Sequence, residues 1–124
     1  MNILIPTTPV ALLLALGCAG TYPPPTQQLA DVQSANRSAN EVGAQNNPKA
    51  QLHLKLAEEQ LQQAKTAMKD EDNKTASRLL ERAKSDAELA IALARRDNAT
   101  LAANKAVEQS NAQRSTNLEQ GATQ

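Results

Sequence analysis

Between residues 48 and 94 the chain reads PKAQLHLKLAEEQLQQAKTAMKDEDNKTASRLLERAKSDAELAIALA, and the spacing of its small apolar residues decides the fold. In the first half Ala50, Leu54, Ala57, Leu61, Ala64 and Met68 recur at intervals of 4, 3, 4, 3 and 4. In the second half Ala76, Leu80, Ala83, Ala87, Ala90 and Ala94 repeat the same series, with Leu79 and Ile91 broadening it. A seven-residue repeat of this kind lays a narrow apolar seam along one side of a helix. Asp70-Glu71-Asp72-Asn73 interrupts the repeat with a short polar turn. Two helices of equal period joined in this way predict an antiparallel helical hairpin with a coiled-coil-like seam.

The ends of these helices carry their own signals. Asn47 can accept hydrogen bonds from the first free amides, and Pro48 takes the first helical position, where a missing N–H costs nothing. Asp72 or Asn73 can cap the second arm. Upstream, Leu29, Val32, Ala35, Ala39 and Val42 share a stripe and predict a further helix from about Thr26, as N-cap, to Val42, closed by Gly43 and Gln45-Asn46-Asn47. Asn36, Ser38 and Asn40 interrupt that stripe. Downstream of Ala94 the seam meets Asp97 and Asn98, although Leu101 and Val107 partly restore it. The second arm is therefore expected to run on as a solvated extension to about Gln109. The polar residues from Asn111 to Gln124 are expected to fray into a disordered tail.

Composition sets the thickness of this domain. Hydrophobic residues make up 40% of the chain, yet there is no Phe, no Trp and only Tyr22, so alanine supplies most of the apolar surface. An alanine has little area to bury, whereas a buried Leu contributes roughly 1.5–3 kcal/mol. Helices with such seams approach closely and depend on alanine's high helix propensity. The expected class is all-α: two to three amphipathic, alanine-rich helices forming a thin domain.

At the other end of the chain, Val10-Ala11-Leu12-Leu13-Leu14-Ala15-Leu16 has the length of a signal-peptide hydrophobic region, short of the roughly 18–20 residues of a membrane span. Gly17 and Cys18 follow it. The single cysteine excludes an intramolecular disulfide. The segment resembles a lipobox, although Ala15 stands where Leu is favoured and no Lys or Arg precedes the apolar run. That resemblance implies cleavage by signal peptidase II between Gly17 and Cys18, and acyl chains on Cys18 that anchor the protein to a membrane. Two or more chains give stable attachment where one gives marginal binding. Ala19 after the cysteine, in place of the inner-membrane retention signal Asp, implies the outer membrane, with the domain facing the periplasm or the cell surface. Tyr22-Pro23-Pro24-Pro25 then supplies a stiff, extended spacer. The expected organisation is a signal peptide over 1–17, a lipidated tether over 18–26, the helical domain over 27–110 and the tail over 111–124.

Taken in order, Gly17-Cys18, the prolines, Leu29-Ala30, Pro48, Ala57-Glu58-Glu59-Gln60-Leu61-Gln62-Gln63-Ala64 and Ala83-Lys84-Ser85-Asp86-Ala87-Glu88-Leu89-Ala90 match a known pattern. The chain resembles the small lipoproteins that carry domain of unknown function 4398, an alanine-rich domain with a tetratricopeptide-like hairpin. The resemblance implies the hairpin and the anchor, and it names no function.

Little in the sequence points to chemistry. His53 is the lone histidine, so neither a histidine-rich metal site nor a Ser-His-Asp triad can be assembled. It reads as a surface or boundary residue. Asp70-Glu71-Asp72 lacks the ligand spacing, turn glycine and closing Glu of a calcium loop. Glu81, Lys84 and Glu88 read as a solvated face. With 13 basic and 13 acidic side chains, the charge offers nothing for nucleic acid. The absence of aromatics argues against a small-molecule pocket. The expectation is a non-enzyme without cofactor or metal: a structural or protein-interaction lipoprotein whose seam (Leu54, Ala57, Leu61, Ala64, Met68, Leu80, Ala83, Ala87, Ala90, Ala94) meets an envelope protein or another copy. Two alternatives are an alanine-zipper oligomer bracing the outer membrane at the cell wall and a periplasmic helical binding or chaperone-like module. Pro48 argues against the first by interrupting a continuous rod.

Overall fold

A computed structural model of the chain describes residues 22–122, and these are all-α. Helix α1 spans Thr26–Glu41, α2 spans Pro48–Lys69 and α3 spans Asn73–Gly121, with a single 3-10 turn, Ala44–Asn46, between α1 and α2. The predicted leader and Cys18 lie outside the described residues, as do the first residues of the tether.

α1 starts as the prolines dictate. Pro24 and Pro25 cannot donate, but their carbonyls accept from the amides of Thr26 (2.9 Å) and Leu29 (3.0 Å). Thr26 is thus the first helical residue and not the cap; Pro25 holds the cap position without a side-chain bond. The helix ends one residue early, with Val42 as its C-cap, and Gly43 turns the chain at φ +78°. A side chain there would be strained, and a Cβ would also come within 3.0 Å of Asn46 Nδ2.

α2 opens as its sequence predicts. Asn47 Oδ1 accepts from the amides of Lys49 (2.9 Å) and Ala50 (3.0 Å), with Pro48 beside it. Its other end is a Schellman closure: the Asp72 amide reaches back to the Ala67 carbonyl (2.9 Å) and the Glu71 amide to Met68 (3.3 Å). This geometry needs a left-handed residue, and Glu71 supplies it at φ +60°, where glycine is the usual occupant. Asp72 then caps α3 by accepting from the Thr75 amide at 3.1 Å. The Thr75 side chain and then its amide, helped by Arg78 and Lys74, hold the Asp72 carboxyl below its ordinary value.

α3 departs most from expectation. It does not stop near Gln109, and no disordered tail begins at Asn111: one helix of 49 residues continues to Gly121, about 74 Å at 1.5 Å per residue. The reason is local. Between Asn73 and Gly121 the sequence has neither proline nor glycine, and its alanines carry high helix propensity. Asp97 and Asn98 do not interrupt it; Asn98 Nδ2 instead donates to the Val42 carbonyl at 3.0 Å and ties α3 to the end of α1.

α2 and α3 form the antiparallel hairpin. α1 lies along them, mainly against α3 and parallel to it, with Gln28 beside Ser77 at one end and Val42 beside Asn98 at the other. The core divides in two. One part joins Ala39, Ala44, Ala50, Leu54, Ala90 and Ala94; the other joins Val32, Leu61, Ala64, Leu80 and Ala83. Among the described residues, only Leu80 and Val32 are large side chains with no exposure at all. Asn36 is also buried, where the stripe predicted Ala35, which is only half-buried; its Oδ1 has no hydrogen-bond partner.

Candidate interaction surface

The predicted interaction face is spent on the core. Leu54, Ala57, Leu61, Ala64, Leu80, Ala83, Ala87, Ala90 and Ala94 are all buried, and Met68 is half-buried near the hairpin turn. The hairpin alone would leave part of this seam open, but α1 covers it. A surface for another macromolecule has to be sought elsewhere on the bundle.

α3 shows where. Ser77, Lys84, Ile91 and Asn98, at intervals of seven, mark its side toward α1: Ser77 Oγ donates to Gln28 Oε1 at 2.8 Å, and Lys84 Nζ lies 4.0 Å from Asp31. Glu81 and Glu88 are exposed, as the sequence predicts. Asp86, Leu89 and Leu93 lie on a different side, about half a turn round from Lys84. They flank the α2–α3 groove where α1 does not reach. Across that groove, His53, Leu56 and Gln60 follow one another at helical spacings of three and four on α2.

The two helices are clamped here by polar bonds. His53 Nδ1 lies 2.9 Å from Asp86 Oδ1, and Gln60 Nε2 donates to Asp86 Oδ2 at 2.8 Å. His53 and Asp86 are about three-quarters buried, and Gln60 Oε1 is buried without a partner. Each oxygen of the Asp86 carboxylate thus holds one side chain of α2. The cluster is a crosslink between helices. Sequence reasoning placed His53 at a boundary but missed Asp86, 33 residues away, because nothing local signals such a pairing.

Beside this clamp the flank is apolar. Leu89 is 42% exposed, with Leu79 and Leu93 half-buried on the same helix and Leu56 on α2. Beyond Asn98, α3 leaves the bundle and every residue to Ala122 is exposed. Leu101, Val107 and Leu118 stand in solvent on this extension, at 61%, 59% and 70%. At the opposite end, Asn73 Nδ2 donates to the Tyr22 carbonyl at 2.9 Å, so the chain enters the bundle beside the hairpin turn. The entry point and the projecting helix therefore lie at opposite ends.

Among the described residues no group of three His, Cys, Asp or Glu could hold a metal ion, and no helix is long and apolar enough to cross a membrane. A family model described as a domain of unknown function, DUF4398, matches residues 27–106, which takes in α1, the hairpin and the first part of the extension. Neither the comparison with curated proteins nor that with solved structures returned a match.

Proposed function

From the premise that the chain belongs to the DUF4398 family, we propose that it is a non-enzymatic cell-envelope lipoprotein, held to the outer membrane through Cys18, whose helices form a docking surface for another protein chain. The observation that carries this reading is the run Val10–Leu16 ending in Gly17-Cys18-Ala19, followed within a few residues by a rigid helical domain. A hydrophobic region of this length before a cysteine with small neighbours suits lipid attachment at the thiol. Tyr22, four residues after Cys18, is bonded beside the hairpin turn, and the prolines that follow it lead into α1, so the anchor and the bundle are close neighbours along the chain. The exposed leucines of the α2–α3 flank and the extension supply apolar contact area of the kind that interaction surfaces use.

The reading is tested by metabolic labelling of cells with a palmitate analogue, comparing wild type with Cys18→Ala and adding the signal peptidase II inhibitor globomycin. The expected result is label that depends on Cys18, and unprocessed precursor under the inhibitor. Unlabelled, soluble mature protein in the periplasm would overturn the anchor and leave a free helical binding module.

A further inference from the structure

The chain enters the bundle at one end and the long helix leaves it at the other, and polar bonds keep them there. The Tyr22 carbonyl accepts from Asn73 Nδ2 at 2.9 Å, beside the hairpin turn. The carbonyls of Pro24 and Pro25 then accept from the amides of Thr26 and Leu29, so the same segment folds directly into α1. Within the first turn of α1, Gln28 Oε1 accepts from Ser77 Oγ at 2.8 Å. The entering segment is thereby held beside the first residues of α3. Four peptide links separate Cys18 from Tyr22. Four links span at most about 14 Å however the chain runs, so an acylated Cys18 keeps the turn close to the lipid headgroups.

α3 starts at this end and runs away from it. The bundle accompanies it as far as Asn98, bonded to the Val42 carbonyl at 3.0 Å, and beyond that point every residue to Ala122 is exposed. Counted from Asn73 at 1.5 Å per residue, Leu89 on the open flank lies about 24 Å along the helix, Leu101 about 42 Å and Leu118 about 68 Å. A tether at one end leaves such a rod free to stand or to lie down, and the surface of the extension decides between them. Helices that lie in a membrane interface set a broad apolar face against a polar face rich in Lys and Arg. From Leu101 to Gly121 the charges balance, Lys105 and Arg114 against Glu108 and Glu119. The large apolar residues do not share one face either: Leu101 projects about 100–120° round the axis from Val107 and Leu118. Neither insertion nor attraction to anionic headgroups therefore favours the flat arrangement. Even a rod pivoting freely about its tether holds Leu118 out, on average, by about 34 Å, half the distance from the turn.

We propose that the hairpin-turn end of the bundle is its lipid-facing end and that α3 is a stand-off, which carries the extension away from the membrane that holds Cys18. The inference rests on the anchor half of the proposed function. It sets the exposed apolar residues at different heights. A chain docked on the flank near Leu89 sits close to the membrane, and one docked on the extension sits tens of ångströms farther out.

The test uses the full chain, processed in cells, purified in detergent and labelled with a thiol-reactive donor dye. It is then reconstituted into large phosphatidylcholine vesicles that contain a headgroup-labelled acceptor lipid. An acylated Cys18 has no free thiol, so wild type gives the labelling background. Two single variants carry the dye at exposed positions, Lys69→Cys beside the turn and Gln113→Cys on the extension. Energy transfer to the lipid should be at least about twofold stronger from Lys69→Cys than from Gln113→Cys, which lies about 60 Å farther along the rod. Equal transfer from the two variants in vesicle-bound protein would show the rod lying flat and overturn the stand-off, with the anchor intact. Stronger transfer from Gln113→Cys would overturn it as well. Flotation of the vesicles on a density gradient reads the anchor separately. Protein that stays behind, with no acyl chain on Cys18 by mass spectrometry, would overturn the anchor and the stand-off together.

Discussion

Replacing Glu71 by glycine should stabilise the protein, although glycine is a poor choice almost anywhere else in a helical chain. Glu71 sits at φ +60°, at the one position where the α2 closure demands a left-handed residue. An L-residue with a side chain costs about 1–2 kcal/mol in that conformation, because its Cβ crowds the following carbonyl. Glycine removes the crowding but brings roughly 0.5–1 kcal/mol of extra backbone entropy lost on folding. The net gain is about 0.5–1 kcal/mol. The Glu71 side chain is exposed, so its removal takes little away. For a domain of this size the gain corresponds to a rise in melting temperature of about 2–8 °C. Thermal unfolding followed by circular dichroism measures it, with Glu71→Ala as the control that removes the carboxylate and keeps the Cβ. The alanine variant should stay within about 0.5 kcal/mol of wild type, as surface changes usually do. A Glu71→Gly protein that melts at or below the wild-type temperature would refute the argument, and would mean that the closure does not control the hairpin's stability.

Gly43 provides the mirror image: Gly43→Ala, at φ +78° with Asn46 Nδ2 only 3.0 Å from the new Cβ, should lose at least about 1 kcal/mol in the same assay. Leu80→Ala should cost about 2–5 kcal/mol, enough to unfold a thin bundle near physiological temperature, because Leu80 is fully buried and its alanine neighbours cannot reach in to fill the space. At Asp72 the prediction concerns pH. Its bond to Thr75 lowers the folded pKa, so the stabilisation is present above the unfolded value and is lost as pH falls through the folded one. Wild type should therefore melt higher than Asp72→Asn at neutral pH, with the difference disappearing on acidification as the carboxylate takes up its proton. A difference that persists at low pH would mean that the carboxylate's charge plays no part.

The parts of this fold that were legible in the sequence are those governed by local rules. The hairpin seam was visible because small apolar residues, mostly Ala and Leu, recur at intervals of 4 and 3 through both arms, and the structure buries all of them but Met68. Asn47-Pro48 and Asp72 announced their helix starts with the residues whose side chains now make the bonds. What escaped depends on contacts between distant segments. Asn36 took the buried place expected for Ala35; an amide in an apolar stripe reads as an interruption until its surroundings are known. The length of α3 was misjudged for the opposite reason. Polar composition suggested fraying, whereas the absence of any breaker before Gly121 was the better guide. As to the candidate surface, Cys18 is a purely local signal, while the open flank exists only once α1 has chosen its side of the hairpin.

That choice needs explaining, because a seam of alanines does not specify it well. The repeat in α2 and α3 presents nearly the same small residue at every step, so sliding α1 along the hairpin by seven residues, about 10.5 Å, would exchange one alanine contact for another at little cost. The polar groups break this degeneracy. Such a slide would part Gln28 from Ser77, strip the Val42 carbonyl of Asn98 and pull Tyr22 away from Asn73. These three ties occur at both ends of the bundle, and each joins groups that would otherwise face a smooth apolar or solvated surface. Between them sits Asn36, whose buried, unpartnered oxygen weakens the core it occupies. Its position at the waist, between the two apolar clusters, limits that loss to one register: moved by a heptad, the amide would displace the better-packed side chains around Val32 or Ala39. A single polar group at a seam position fixes register at a cost in stability, and here it keeps α1 on one side of the hairpin. The flank carrying Leu56, Leu89 and Leu93 stays open as the direct consequence, which is why the surface available for docking is set by a handful of amides and hydroxyls and not by the alanine repeat itself.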